Sequence, residues 1–161
     1  MTGPLERRFP ISGISLTDLD WQVRLHIYRR FTVDGRPPAY QETALALDIP
    51  PEAAREAYHR LHRAHQIFLD TSDDCVRMAS PLSAVTTPYA VITNGRRLYA
   101  NCAWDSLGIP AMLHADAVIE SRYTHTGEPA SYAVENGRLS GAGVVHFLLP
   151  FRRWYEDLVY T

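Results

Sequence analysis

The sequence contains no lysine; all 16 of its basic residues are arginine. That absence excludes a lysine Schiff base as a reaction intermediate and the lysine of a phosphate-binding P-loop. Cysteine is nearly as scarce. Cys75 and Cys102 are too few for a disulfide framework, which leaves packing or thiol chemistry in a reducing compartment. Long apolar runs are missing too. Nothing approaches the ~18 consecutive apolar residues of a membrane span, and residues 1–8 lack the apolar core of a signal peptide. These absences predict a cytoplasmic protein with no membrane partner. A formal net charge of −2 offers no global attraction to nucleic acid. What is present is ordinary for a globular chain: 161 residues, 46% of them apolar. That is one domain or two small modules, long enough to bury ~70% of the surface exposed on unfolding.

The pattern changes near Ala79, Ser80 and Pro81, which predicts a boundary between units at 1–80 and 81–161. Thr17 is a candidate N-cap for a helix over 18–30. Asp18 and Asp20 in its first turn and Arg29 and Arg30 in its last complement the helix dipole. Leu19, Val23 and Ile27 make its apolar stripe. After the break at 33–38, a short helix fits 40–47. A third fits 52–65, with Ala54, Ala57, Tyr58 and Leu61 on one side and proline placed to start it. Two short strands, 66–69 and 75–78, follow.

Three helices and a hairpin are the order of a winged helix-turn-helix, so this part reads as a winged-helix-like module. A DNA-binding use would rest on Arg55, Arg60 and Arg63 of the third helix. The hairpin tip carries Asp70, Asp73 and Asp74, which phosphate would repel, so a nucleic-acid partner is not expected. His59, His62 and His65 suggest a metal stripe, but His59 and His65 lie about 120° apart around a helix. Solvated or capping histidines are the expectation.

Downstream of Pro81 the reading is mixed. Strands are expected at 89–92 and 97–99 around the turn Asn94-Gly95, a helix over 101–113 interrupted by Gly108 and Pro110, and strands at 117–123 and 131–134. An apolar run over 143–149 follows, then a short closing helix over 151–160.

Thiol chemistry centres on Cys102. If Asn101 caps the helix, Cys102 lies in its first turn, where backbone donors and the dipole favour thiolate and lower the thiol pKa. Asp105, three residues on, shares its face. Two like charges disfavour joint ionisation, so one group tends to hold a proton. A soft thiolate beside an acid suits protonolysis. A small buried cysteine is the alternative from spacing alone.

The block Arg97-Leu98-Tyr99-Ala100-Asn101-Cys102-Ala103-Trp104-Asp105-Ser106-Leu107-Gly108-Ile109-Pro110-Ala111 resembles the signature of the alkylmercury lyase family. Ser80-Pro81-Leu82-Ser83-Ala84-Val85 and Val145-His146-Phe147-Leu148-Leu149-Pro150 are similar to it as well. The resemblance implies an α+β fold, with a winged-helix-like three-helix module followed by a compact mixed domain of the alkylmercury-lyase type. It implies cleavage of a carbon–mercury bond with no cofactor required, Hg(II) or another soft metal being substrate and product. Cys102 would be the first thiolate and soft-metal ligand, and Asp105 the proton donor. The family's second catalytic cysteine lies downstream, close after the region resembled by 154–161, and this sequence has no cysteine after Cys102. Mercury would then leave with external small thiols, unless Cys75 substitutes.

Tyr99 and Trp104 flank the cysteine and are expected in a substrate-pocket wall or in the core. His146 is expected as a satisfied core histidine, His114 and His125 as exposed, and Trp154 and Tyr155 as anchors of the last segment. Two alternatives stay open beside the lyase acting on a small-molecule substrate. One is metal-free tailoring of a small organic molecule on the same fold. The other is a non-catalytic winged-helix regulator or metal-responsive binder.

Overall fold

The computed structural model describes residues 14–70, 72–147, 149–150 and 153–154. Helix α1 (Asp18–Asp34) opens on a capping box: Thr17 accepts the N–H of Asp20, and the Asp20 carboxylate takes the N–H of Thr17 at 2.8 Å. Val23, Ile27 and Phe31 recur on its buried side. The helix runs one turn beyond the expected end at residue 30. An Arg30–Asp34 ion pair spans that turn, and Gly35 in the left-handed region stops it. Helices α2 (Tyr40–Leu47) and α3 (Pro51–Arg63) fall where expected, with Pro51 in the first turn of α3.

Asp20 does more than complement a dipole. Its carboxylate is fully buried, and the Arg60 guanidinium of α3 donates to both its oxygens at 3.0 and 3.1 Å. Burial pushes this carboxyl up, but the hydrogen bonds from Arg60 and Thr17 outweigh it and hold the group below its ordinary value.

The strands among the described residues form one antiparallel sheet of eight, in the order β1-β2-β3-β5-β4-β6-β7-β8. They are β1 (Phe68–Leu69), β2 (Val76–Ala79), β3 (Leu82–Ser83), β4 (Ala90–Thr93), β5 (Arg96–Ala100), β6 (Ala117–Arg122), β7 (Pro129–Glu135) and β8 (Arg138–Ser140). Together with helix α4 (Ala103–Leu113) between β5 and β6, they make the architecture α+β. Strands β3 and β8 were not expected. The first is two residues long and the second polar and exposed, so neither carries an alternating pattern. Residues 143–147, read as part of an apolar run, are irregular and exposed.

Pro110 lies inside α4 without ending it, and the helix continues to Leu113. Gly108 brings α4 close to the turn after the cis peptide Ser80–Pro81. A Cβ there would stand 3.2 Å from the Cβ of Pro81. Tyr28 of α1 donates to the carbonyl of Ser80 at 2.8 Å. The buried core runs without a break from Val23 and Ile27, through Leu61 and Leu82, to Leu98, Ile109 and Ile119. No helix among the described residues is long and apolar enough to cross a membrane.

Candidate active site

Strand β5 delivers the chain into α4 at Asn101 and Cys102. Cys102 itself is the N-cap, not Asn101: its backbone is extended and its sulfur accepts the N–H of Asp105 at 3.5 Å. The N–H of Trp104 is directed at the same sulfur. These two donors favour thiolate, as the sequence reading expected. Burial outweighs them, the charge of Asp105 adds to burial, and the Cys102 thiol is pushed up rather than down. Asp105 is raised as well, by burial, against a hydrogen bond from Asn101 Nδ2 to its Oδ2 at 3.0 Å. The structure thus brings together a thiol and a carboxyl that both favour their protonated, neutral forms more than in water.

Both residues line a cavity of about 680 Å³. Its walls come from the β5–α4 junction, from the turn at His65–Phe68 after α3, from Tyr89, Tyr123 and Tyr132, and from the segment over 141–147. Glycine lets that segment pass close to Tyr132. A Cβ on Gly141 (φ +120°) would stand 2.6 Å from the ring of Tyr132, so no side chain fits there. Tyr123 donates to the carbonyl of Ala142 at 2.9 Å. A second cavity of about 640 Å³, around His114 and Asp116 at the other end of α4, has no thiol in its lining.

Trp104 is 55% exposed and lines the thiol cavity. Its ring meets Phe147 edge-on with centroids 6.0 Å apart, and Phe147 meets Trp154 at 5.2 Å. Trp154 also donates its indole N–H to the carbonyl of Leu149. This aromatic row went unread because Phe147 and Trp154 are far from Trp104 in sequence. Tyr155, the second expected anchor, and most of the expected closing helix lie outside the described residues.

Tyr99 is not in the cavity lining, contrary to expectation. Strand alternation gives the core face of β5 to Leu98 and Ala100, and Tyr99 stands on the opposite face with Arg97 as its hydrogen-bond partner. His146 is exposed and lines the cavity instead of filling the core. Cys75 is exposed in the β1–β2 hairpin, beside Asp73, and takes no part in the lining.

His59, His62, Arg55 and Arg60 of α3 have local partners. His59 pairs with Asp74, and His62 Nδ1 accepts the N–H of Leu69. Arg55 pairs with Asp74, and Arg60 with Asp20. Among the described residues no group of three or more His, Cys, Asp or Glu side chains is arranged to hold a metal ion.

The family model "Alkylmercury lyase" matches residues 82–159, a stretch that includes β5, α4 and the cavity's far wall. The matched stretch, just under half of the chain, is similar to the alkylmercury lyase family. An alkylmercury lyase of Streptomyces lividans is 34% identical over 103 residues, which are 63% of this chain and 45% of that protein. Alkylmercury lyases of Bacillus cereus and Clostridium butyricum are each 41% identical over 54 residues, 34% of this chain and 25% of theirs. The matches thus span less than half the length of these relatives. In three dimensions the chain is similar to the mercury-bound form of MerB2, with a TM-score of 0.67 and 26% identity over 78% of this chain and 60% of that one.

Proposed function

We propose that the protein is a lyase that cleaves carbon–mercury bonds by protonolysis, with Cys102 as nucleophile and soft-metal ligand and Asp105 as proton donor. One observation carries this reading: a thiol and a carboxyl share one helical turn at the wall of a large cavity, within the stretch that matches the family model.

The chemistry follows from the environment of the two groups. Binding R–Hg⁺ to Cys102 converts its thiol to thiolate, because soft ions displace the sulfur proton. Asp105 accepts that proton readily, since burial raises its affinity for it. The acid then returns the proton to the carbon bound to mercury. The C–Hg electron pair becomes the C–H bond, R–H departs, Asp105 is left as carboxylate, and Hg(II) stays on the Cys102 sulfur. External small thiols, abundant in a reducing cytoplasm, take the ion away. No cofactor is needed in this scheme. Trp104, Phe147 and the tyrosines of the wall would receive the organic group and limit water at the reacting carbon.

Phenylmercuric acetate with excess dithiothreitol tests the proposal. Benzene is released by the wild-type protein and not by Cys102→Ser or Asp105→Ala; equal release from all three overturns it. A second reading has the same pair acting on a small organic molecule without mercury. It is favoured by one fact: Cys102 is the single thiol lining the cavity among the described residues. Absence of benzene from the wild type would favour it.

A further inference from the structure

Asn101 is the residue of this site with no accounted duty. It is not the helix cap, because Cys102 fills that position with its own sulfur. Its amide nitrogen instead donates to Asp105 Oδ2 at 3.0 Å, the side-chain hydrogen bond made to that carboxyl among the described residues. In this orientation the amide offers its nitrogen, as an ionised carboxylate, which only accepts hydrogen bonds, requires. The other end of the amide, Oδ1, is buried and has no partner among the described residues. Leaving a buried acceptor unpaired works against stability, and such orphans call for an explanation. A side chain that gives up one of its own hydrogen bonds while holding a reactive carboxyl is arranged for that carboxyl.

We infer that Asn101 is a positioning residue, which clamps Oδ2 of Asp105 and leaves Oδ1 as the oxygen that presents the proton to the substrate carbon. The inference rests on the lyase reading above and goes beyond it. With Oδ2 engaged, rotation about the Asp105 Cβ–Cγ bond is restricted, so the acid proton keeps one direction relative to the Cys102 sulfur three residues earlier. When the proton leaves for carbon, the carboxylate that forms already has a donor on Oδ2, which limits rearrangement as charge develops. Both residues line the cavity, so the restricted carboxyl is in reach of a bound substrate.

The test compares Asn101→Leu, Asn101→Gln and the wild type on phenylmercuric acetate with excess dithiothreitol. Asn101→Leu is expected to lower kcat by about 10- to 100-fold, the cost of a misdirected reacting group. KM stays within about twofold, because the thiol that captures mercury is untouched. Its Tm stays close to that of the wild type, since removal of the orphaned oxygen offsets the donor withdrawn from Asp105. Asn101→Gln, which retains the amide donor, recovers part of kcat. A loss that appears as a fall in Tm, or equally in kcat for Leu and Gln, assigns Asn101 a structural role and overturns the inference. So does an Asn101→Leu protein with wild-type kcat. A wild-type protein that releases no benzene overturns the lyase reading, and this inference with it.

Discussion

The backbone N–H of Asp105 is directed at the sulfur of Cys102 across 3.5 Å, so the cap of helix α4 is also its most reactive atom. The same hydrogen bond supports thiolate while the carboxylate of Asp105 opposes it. Alkylation of Cys102 by iodoacetamide, followed in a Cys75→Ser background, will therefore have a pH midpoint above that of a free thiol. Replacing Asp105 with Asn removes the opposing charge and lowers that midpoint. An unchanged or higher midpoint in Asp105→Asn would contradict the electrostatic account.

Asp105 carries a second pH signature, in stability. Its folded-state pKa is raised above the unfolded value, so its contribution is full below the unfolded pKa and is lost as pH rises through the folded one. Asp105→Asn will gain in Tm relative to the wild type on going from pH 4 to pH 8, while losing benzene release. A gap in Tm that is constant with pH would refute the sign.

The Asp20–Arg60 pair behaves in the opposite sense. Asp20 is held below its ordinary value, so its contribution is present above the unfolded pKa and disappears as pH falls through the folded one. Asp20→Asn should cost about 3 kcal/mol in urea unfolding at neutral pH, the low end for a broken buried pair. The low end applies because Arg60 keeps 25% of its side chain exposed. The deficit should shrink in acid.

Trp104 bears on binding more than on chemistry. Its edge-on contact with Phe147 closes one side of the cavity, and aromatic pairs of this kind contribute ~0.5–1.5 kcal/mol beyond buried area. Trp104→Ala should raise KM for phenylmercuric acetate by up to about tenfold, with kcat within about threefold. A change confined to kcat would place Trp104 with the reacting groups instead.

Much of this was legible in the residues themselves. The helices followed from Thr17, Pro51 and the spacing of Val23, Ile27, Ala54 and Leu61, because caps and apolar periodicity are local signals. Cys102 and Asp105 stood out because their spacing is local too. Long-range facts were not legible. Asp20 read as a surface dipole partner because Arg60 lies 40 residues away. Tyr99 read as a pocket residue because chain adjacency to Cys102 says nothing about which face of β5 it occupies. The thiol pKa was read in the wrong direction for a similar reason: helix-end donors are visible in sequence, whereas burial is set by chain segments as distant as 65–68 and 141–147.

Gly108 gives the site a mechanical setting. With no side chain at that position, α4 lies against Pro81, and Pro81 follows the carbonyl gripped by Tyr28 of α1. One added methyl group would act as a shim there, 3.2 Å from the Cβ of Pro81, and would force α4 or Pro81 to give way six residues beyond the thiol. Under the proposed mechanism, the aim of the proton therefore depends on how closely α4 rests on Pro81.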